Sequence, residues 1–225
     1  MRGLFVTGTD TGVGKSVVSA CLLAAMSEAG EPVRAFKPAL TGLQDAPVPP
    51  WPRDHELLAL PAGTTPEEVS PWRFGPPASP HLAAALAGSA LDPGALVARA
   101  RELGEGHTLV VEGVGGLLVP LTTSFSVCDL AVELALPLVV VARPGLGTIN
   151  HTLLTLRAAR GAGLRVAGVV LSGWPREPSV LERSNRDTIA ALGEVEVVTL
   201  PVLPGPDPAT LAAAGAELAW REWLS

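Results

Sequence analysis

Apolar and polar positions along this chain fall into blocks. "GLFVTG" (3–8), "HTLVVEG" (107–113), "LPLVVVAR" (136–143), "LRVAGVVLSG" (164–173) and "EVEVVTLPVL" (194–203) are short runs rich in Val and Leu. Such runs predict strands buried on both faces of a parallel sheet. "PVRAFKPA" (32–39) reads as a further strand, ended by Pro38. Other segments carry helical spacing: "KSVVSACLLAAMSEAG" (15–30), closed by Gly30, then "TINHTLLTLRAARGAG" (148–163) and "DPATLAAAGAELAWREWL" (207–224). "LDPGALVARARELG" (91–104) adds a helix with Asp92 as its N-cap and Pro93 in its first turn.

Between the second strand and that helix the pattern breaks. "DAPVPPWPRD" (45–54) and "PWRFGPPASPH" (71–81) are rich in Pro, with short helical pieces near Glu56–Leu60 and His81–Ala87. Long insertions of this kind usually serve function or movement. Alternating strands and helices predict an α/β fold, a doubly wound, mainly parallel sheet that binds ligands at the carboxyl ends of its strands. Neither a repeat nor a linker divides residues 1–225, so one domain is expected.

Charge narrows the partners. A net charge of −6 and a pI near 5.2 argue against nucleic acid or an anionic membrane surface, which require a basic stripe. No apolar run is long enough to span a bilayer. Cys21 and Cys128 lie in apolar stretches and read as reduced core residues of a cytoplasmic protein. Of the 16 basic residues 14 are Arg, leaving only Lys15 and Lys37. A chain that uses Arg almost everywhere and keeps Lys twice marks both for chemistry needing a compact ammonium.

Lys15 closes "GTDTGVGKS" (8–16), a Gly-rich loop between the first strand and the first helix. Its backbone N–H groups and the helix N-terminus suit phosphates, with Gly12, Val13, Gly14, Lys15, Ser16 and Val17 as the cradle. In that reading Lys15 reaches the β and γ phosphates and the Ser16 hydroxyl coordinates Mg²⁺. The usual P-loop has four residues between its first Gly and Gly-Lys; here five separate Gly8 from Gly14. Glu112 follows "TLVV" as a Walker B carboxylate does, a candidate metal ligand directly or through water. Gly113, Val114 and Gly115 then offer backbone to substrate or phosphate. Asp10 either orients the P-loop or makes an Asx bond to its own backbone.

The longer loop closely resembles that of the dethiobiotin synthetases, Gly-Thr-Asp-Thr-x-x-Gly-Lys-Thr/Ser. "FKPALTG", "SPH" (79–81), "VVEGVGGLLVPL" and "GLGTINHTLLTLRAARGAGL" resemble that family's other motifs in the same order, so the resemblance runs from about Phe5 to Leu203. It implies a homodimeric ATP-dependent enzyme of biotin biosynthesis, in which 7,8-diaminononanoate, CO₂ or bicarbonate, and ATP as co-substrate with Mg²⁺ give dethiobiotin, ADP and phosphate.

The resemblance also assigns roles. Lys37 becomes the active-site lysine on carbamate and γ-phosphate oxygens, Thr9 a phosphate or substrate contact, and Asp54 a metal ligand, with Glu56 the alternative if the alignment slips. Thr41 stands where the family has a substrate-contacting serine. Gly147, Thr148, Ile149 and Asn150 are expected to hold the substrate carboxylate across the dimer interface. Ser172 and Gly173 stand where members commonly carry Asn-Asp, whose Asn reads adenine. A serine cannot pair bidentately with that base, which leaves the backbone of Pro201, Val202 and Leu203 as the other means of base contact.

Three rival readings share parts of these motifs. A corrin-amidating relative would require an added glutaminase domain, for which 225 residues leave no room. A partitioning ATPase would place another lysine early in the loop, where Thr9, Asp10 and Thr11 stand. A non-catalytic nucleotide-binding module remains, separable by diamine-dependent turnover.

Overall fold

In a computed structural model describing Met1–Ser225, the apolar runs assemble into one six-stranded sheet. The chain order is β1 (Gly3–Gly8), α1 (Lys15–Glu28), β2 (Val33–Phe36), α2 (Asp54–Ala62), α3 (Pro66–Val69), α4 (Pro80–Leu86), α5 (Pro93–Leu103) and β3 (Thr108–Gly116). It continues with α6 (Val127–Leu134), β4 (Leu138–Ala142), α7 (Thr148–Gly161), β5 (Val166–Trp174), α8 (Val180–Gly193), β6 (Val197–Pro201), α9 (Pro208–Ala216) and α10 (Trp220–Trp223). The strands lie in the order β2-β3-β1-β4-β5-β6, and every neighbouring pair is parallel. After β1 the chain runs out to the edge at β2 and returns to place β3 between β2 and β1, then crosses to the other side for β4. The switch therefore falls at the carboxyl end of β1, where an open α/β sheet forms its crevice.

Successive side chains on a strand face opposite sides, and here both sides are apolar. Phe5, Leu109, Val111 and Val140 join Leu156 and Ile189 in one core cluster. Leu4, Val6, Val110 and Val139 join Leu22, Leu57 and Leu211 in the other. Cys21 and Cys128 are buried free thiols, one in each cluster. No helix is long and apolar enough to cross a membrane.

One irregularity positions the site. β1 pairs with β3 in step as far as Val6 and Glu112, but Gly8 then faces Gly116. Two steps on β1 thus oppose four on β3, and the end of β3 swings out beyond Glu112. The strand accordingly continues past the point where the apolar run stops.

Other differences from the sequence reading have local causes. β2 ends at Phe36, before Lys37 and Pro38. The C-terminal helix is broken between Ala216 and Trp220. That break lets Trp220 and Trp223 turn into the core, with the Trp223 indole N–H donating to Glu196 at 3.0 Å and Arg165 donating to the Trp223 carbonyl at 2.6 Å. Helices α6 and α8, not picked out by periodicity, open with capping boxes at Ser126/Asp129 and Ser179/Glu182. Asp92 caps α5 as expected, accepting from the Gly94 N–H at 2.9 Å.

Helix α9 lies so close to α1 that a Cβ on Gly215 would stand 2.0 Å from the Cys21 carbonyl oxygen. Gly215→Ala is expected to lower unfolding free energy by about 1–3 kcal/mol, through overpacking against backbone. Urea denaturation checks this; an unchanged midpoint would show that the two helices are free to separate.

Candidate active site

The chain leaves β1 at Gly8 and enters α1 at Lys15, so the loop between them lies at the switch point. Gly14 caps α1 with φ 96°, in the left-handed region that favours glycine, and a Cβ there would lie 2.3 Å from Ser172 Oγ. The Thr9 N–H donates to the Val141 carbonyl at 2.9 Å, anchoring the loop to β4. Asp10 accepts the N–H of the next residue, Thr11, at 2.7 Å, one residue short of an Asx bond, and pairs with Arg143 at 3.3 Å on the surface. Lys15 folds back to donate to the Asp10 carbonyl at 2.9 Å. The extra loop residue is thus accommodated by internal hydrogen bonds, with α1 still opening at the Gly-Lys step.

Four side chains from four places in the sequence meet beside this loop. Lys37, just past β2, is 3 % exposed, and its Nζ lies 2.5 Å from Glu112 Oε1 and 2.9 Å from Asp54 Oδ2. Ser16 Oγ donates to the same Glu112 Oε1 at 2.9 Å. Glu112 is wholly buried, and its second oxygen, Oε2, has no hydrogen-bond partner. Asp54 opens α2 and keeps 42 % of its side chain exposed toward the cleft. Glu56 instead accepts the Arg53 N–H at 3.0 Å as part of the α2 capping box, so Asp54 is the carboxylate that α2 brings to the cluster.

Electrostatics tie the group together. Burial alone would push the Lys37 ammonium down, but Asp54 and Glu112 hold it above the ordinary lysine range. Asp54, raised by burial, is carried below the carboxylate range by Lys37 and by the Ser16 hydroxyl. Lys15 is pushed down to about 8, first by burial and then by repulsion from Lys37.

The donor set fits a hard divalent cation. Two carboxylates and a hydroxyl converge, all are oxygen donors, and Glu112 Oε2 is an unsatisfied buried acceptor, which a structure tolerates poorly without a function.

The cluster borders a cleft of about 930 Å³. Gly12, Gly14, Lys15, Ser16, Val17, Lys37, Thr41, Asp54, Val114 and Gly115 line it. Thr11 borders it where Thr9 does not, and Asp45, Trp51, Arg53, Leu57 and Ser79 are lining residues that the sequence reading left unassigned. They come from the Pro-rich insertion and the helices beside it; Ser79 opens the quoted "SPH" motif, and the only signal for the others was the position of that insertion after a strand end. Val13 turns its side chain into the core, and Gly113 packs against Val127. Ser172 is buried behind Gly14; with Gly173, Pro201, Val202 and Leu203 it lies at the ends of β5 and β6, outside this cleft. Gly147, Thr148, Ile149 and Asn150 form the start of α7, also away from the cleft, with Thr148 buried and 3.5 Å from Thr152 Oγ1.

Lys15 generates a prediction with a definite sign. Its folded pKa of about 8 lies below the unfolded value of 10.5. Below pH 8 both states are protonated and the full cost of the buried charge is present; from pH 8 to 10.5 the folded state sheds the proton and stability rises. Lys15→Met should therefore stabilise the nucleotide-free protein at pH 7 by up to roughly 3 kcal/mol, with the gain fading toward pH 10.5. Chemical denaturation across that range checks it, and a gain independent of pH would contradict it.

Comparison with known proteins gives the family. The profile of the AAA domain family matches residues 2–210. ATP-dependent dethiobiotin synthetase BioD of Anaeromyxobacter dehalogenans strain 2CP-1 is 48 % identical over 185 residues, covering 80 % of this chain and 81 % of its own. The protein of the same name from Rhodococcus jostii strain RHA1 is 47 % identical over 88 % of this chain and 85 % of its own; that from Anoxybacillus flavithermus is 35 % identical over 99 % of each. Among solved structures, the cell division ATPase MinD of Pyrococcus furiosus superposes with a TM-score of 0.58 at 18 % identity, covering 98 % of both chains. A ParA family ATPase from Chlorobium tepidum gives 0.54 at 13 % identity, over 100 % of this chain and 94 % of its own. These two likenesses establish the P-loop α/β fold alone, whereas identity of 35–48 % over most of the sequence establishes that the chain belongs to the ATP-dependent dethiobiotin synthetase family.

Proposed function

We propose that this chain closes the ureido ring of dethiobiotin from 7,8-diaminononanoate, CO₂ and ATP, as a step of biotin biosynthesis. The observation that carries the reading is the meeting of Lys37, Asp54, Glu112 and Ser16 within 2.5–2.9 Å at the strand ends, beside Lys15. Charge accumulates at every stage of the reaction. One amine adds to CO₂ and loses a proton, giving a carbamate. A carbamate oxygen attacks the γ-phosphorus, ADP leaves, and a carbamoyl phosphate forms. The second amine attacks that carbonyl carbon, loses a proton, and expels phosphate as the ring closes.

The protein therefore needs cations and N–H donors rather than a nucleophile. Lys37 stabilises carbamate and transferring phosphoryl oxygens, and Lys15 with the Gly12–Val17 backbone holds the phosphate chain. The Lys15 ammonium, whose pKa is depressed in the empty loop, is held in its charged form more firmly as phosphate approaches. Ser16, Asp54 and Glu112 hold Mg²⁺, which when bound supplies charge neutralisation at the phosphates. Thr41, on the cleft wall, contacts the diamine, with Thr9 a loop contact to phosphate or substrate.

Residues 1–225 act as one cytoplasmic P-loop domain that works as a homodimer. Gly147–Asn150 at the start of α7 receive the carboxylate of the substrate bound by the neighbouring subunit. The exposed Leu146, Leu154 and Leu181, on and beside α7 and α8, support a second copy covering this face. Ser172, with the Gly173 and Pro201–Leu203 backbone, forms the base end of the nucleotide site.

Phosphate release from ATP with Mg²⁺ and bicarbonate is expected only when 7,8-diaminononanoate is present, in step with dethiobiotin measured by mass. Diamine-independent hydrolysis would favour a nucleotide switch. Lys37→Arg should lower turnover about 10²–10³-fold while nucleotide affinity changes little, because it keeps the charge and loses the compact geometry. Wild-type turnover in that variant would remove Lys37 from the chemistry.

A further inference from the structure

Lys37 contacts the oxygens that a divalent cation would need. Its Nζ lies 2.9 Å from Asp54 Oδ2 and 2.5 Å from Glu112 Oε1, the oxygen that also accepts the Ser16 hydroxyl. Asp54 Oδ2 and Glu112 Oε1 share a single ammonium, Ser16 Oγ bonds the second of these oxygens, and Glu112 is wholly buried, so water does not screen the Lys37–Glu112 pair. Two cations centred on the same two carboxylate oxygens would repel strongly at this depth.

We propose that Lys37 is a resident counter-cation competing with the divalent metal for Asp54 and Glu112, so that metal binds firmly only when a phosphate group draws the ammonium away. This rests on the reading of Ser16, Asp54 and Glu112 as the metal-holding set. It adds that Lys37 opposes metal loading before it assists the chemistry, and that metal and nucleotide consequently enter as a coupled pair. The stabilised carboxylates also remove any need for a tightly held ion between turnovers, since Lys37 neutralises them. Glu112 Oε2, unpartnered within the fold, remains available to accept a metal-bound water or the ion itself after the exchange.

The test is Mn²⁺ binding to nucleotide-free protein, read by the loss of the free-ion signal in electron paramagnetic resonance. Lys37→Met should bind Mn²⁺ at least about tenfold more tightly than the wild type, because two carboxylates lose their counter-charge. Lys37→Arg, which keeps the charge, should gain much less. Adding Glu112→Gln to Lys37→Met should abolish the gain. Equal Mn²⁺ affinity in the wild type and Lys37→Met, with Glu112→Gln still weakening it, would overturn the competition and leave the metal site standing. A gain that survives both Glu112→Gln and Asp54→Asn would place the ion elsewhere and overturn the metal-site reading as well. Lys37→Gln, uncharged but polar, replaces Lys37→Met if circular dichroism shows that variant unfolded.

Discussion

A glutamate with no exposure to solvent at the end of a central strand must be neutralised, and the Lys37–Glu112 pair meets that demand. A buried carboxylate without a partner costs several kcal/mol, and this one receives the Lys37 ammonium and the Ser16 hydroxyl on a single oxygen. That constraint binds distant parts of the chain together. β2 must deliver Lys37, β3 must break its register just beyond Glu112, and α1 must begin with Ser16 facing across from the loop. The Pro-rich insertion must return far enough to set Asp54 against the same lysine. The pair is poor evidence for stability, since its desolvation offsets much of its attraction; what it does is hold two buried charges together beside the Gly-rich loop.

The rest of the fold follows from the same end of the sheet. Six parallel strands with apolar residues on both faces leave their carboxyl ends as the one place where polar side chains collect. The crossing of the chain at β1 opens a crevice there, and the first turn of α1 presents its unpaired N–H groups to it. Lys15, resting on the Asp10 carbonyl, and Lys37, resting on two carboxylates, approach this crevice from different strand ends. They are the only two lysines in a chain that otherwise uses arginine, and both are buried.

Much of this was legible in the sequence, for identifiable reasons. Strands buried on two faces write themselves as Val- and Leu-rich runs, and the step from β1 through the Gly-rich loop into α1 is local. Lys37 was legible as one of two surviving lysines after a strand. The choice between Asp54 and Glu56 was not, because only the capping geometry shows Glu56 turned back to the Arg53 N–H. The swing of β3 past Glu112 depends on pairing with β1, a partner more than a hundred residues away. Burial of Ser172 behind Gly14 is likewise tertiary: a short side chain lets the P-loop pack against β5, whereas the sequence suggested only a missing base contact. The break between α9 and α10 reflects two tryptophans seeking the core, which outweighs an otherwise continuous helical pattern.

Oxygen transfer tests the chemistry most directly. With C¹⁸O₂, 7,8-diaminononanoate, ATP and Mg²⁺, and reaction times short against exchange with water, attack by the carbamate oxygen on γ-phosphorus leaves a carboxyl-derived oxygen in the product phosphate. The account predicts phosphate carrying ¹⁸O in step with dethiobiotin formed. Phosphate that draws its new oxygen only from water would mean that ATP is hydrolysed beside the diamine, and would contradict the assignment of the Lys37 cluster to ring closure.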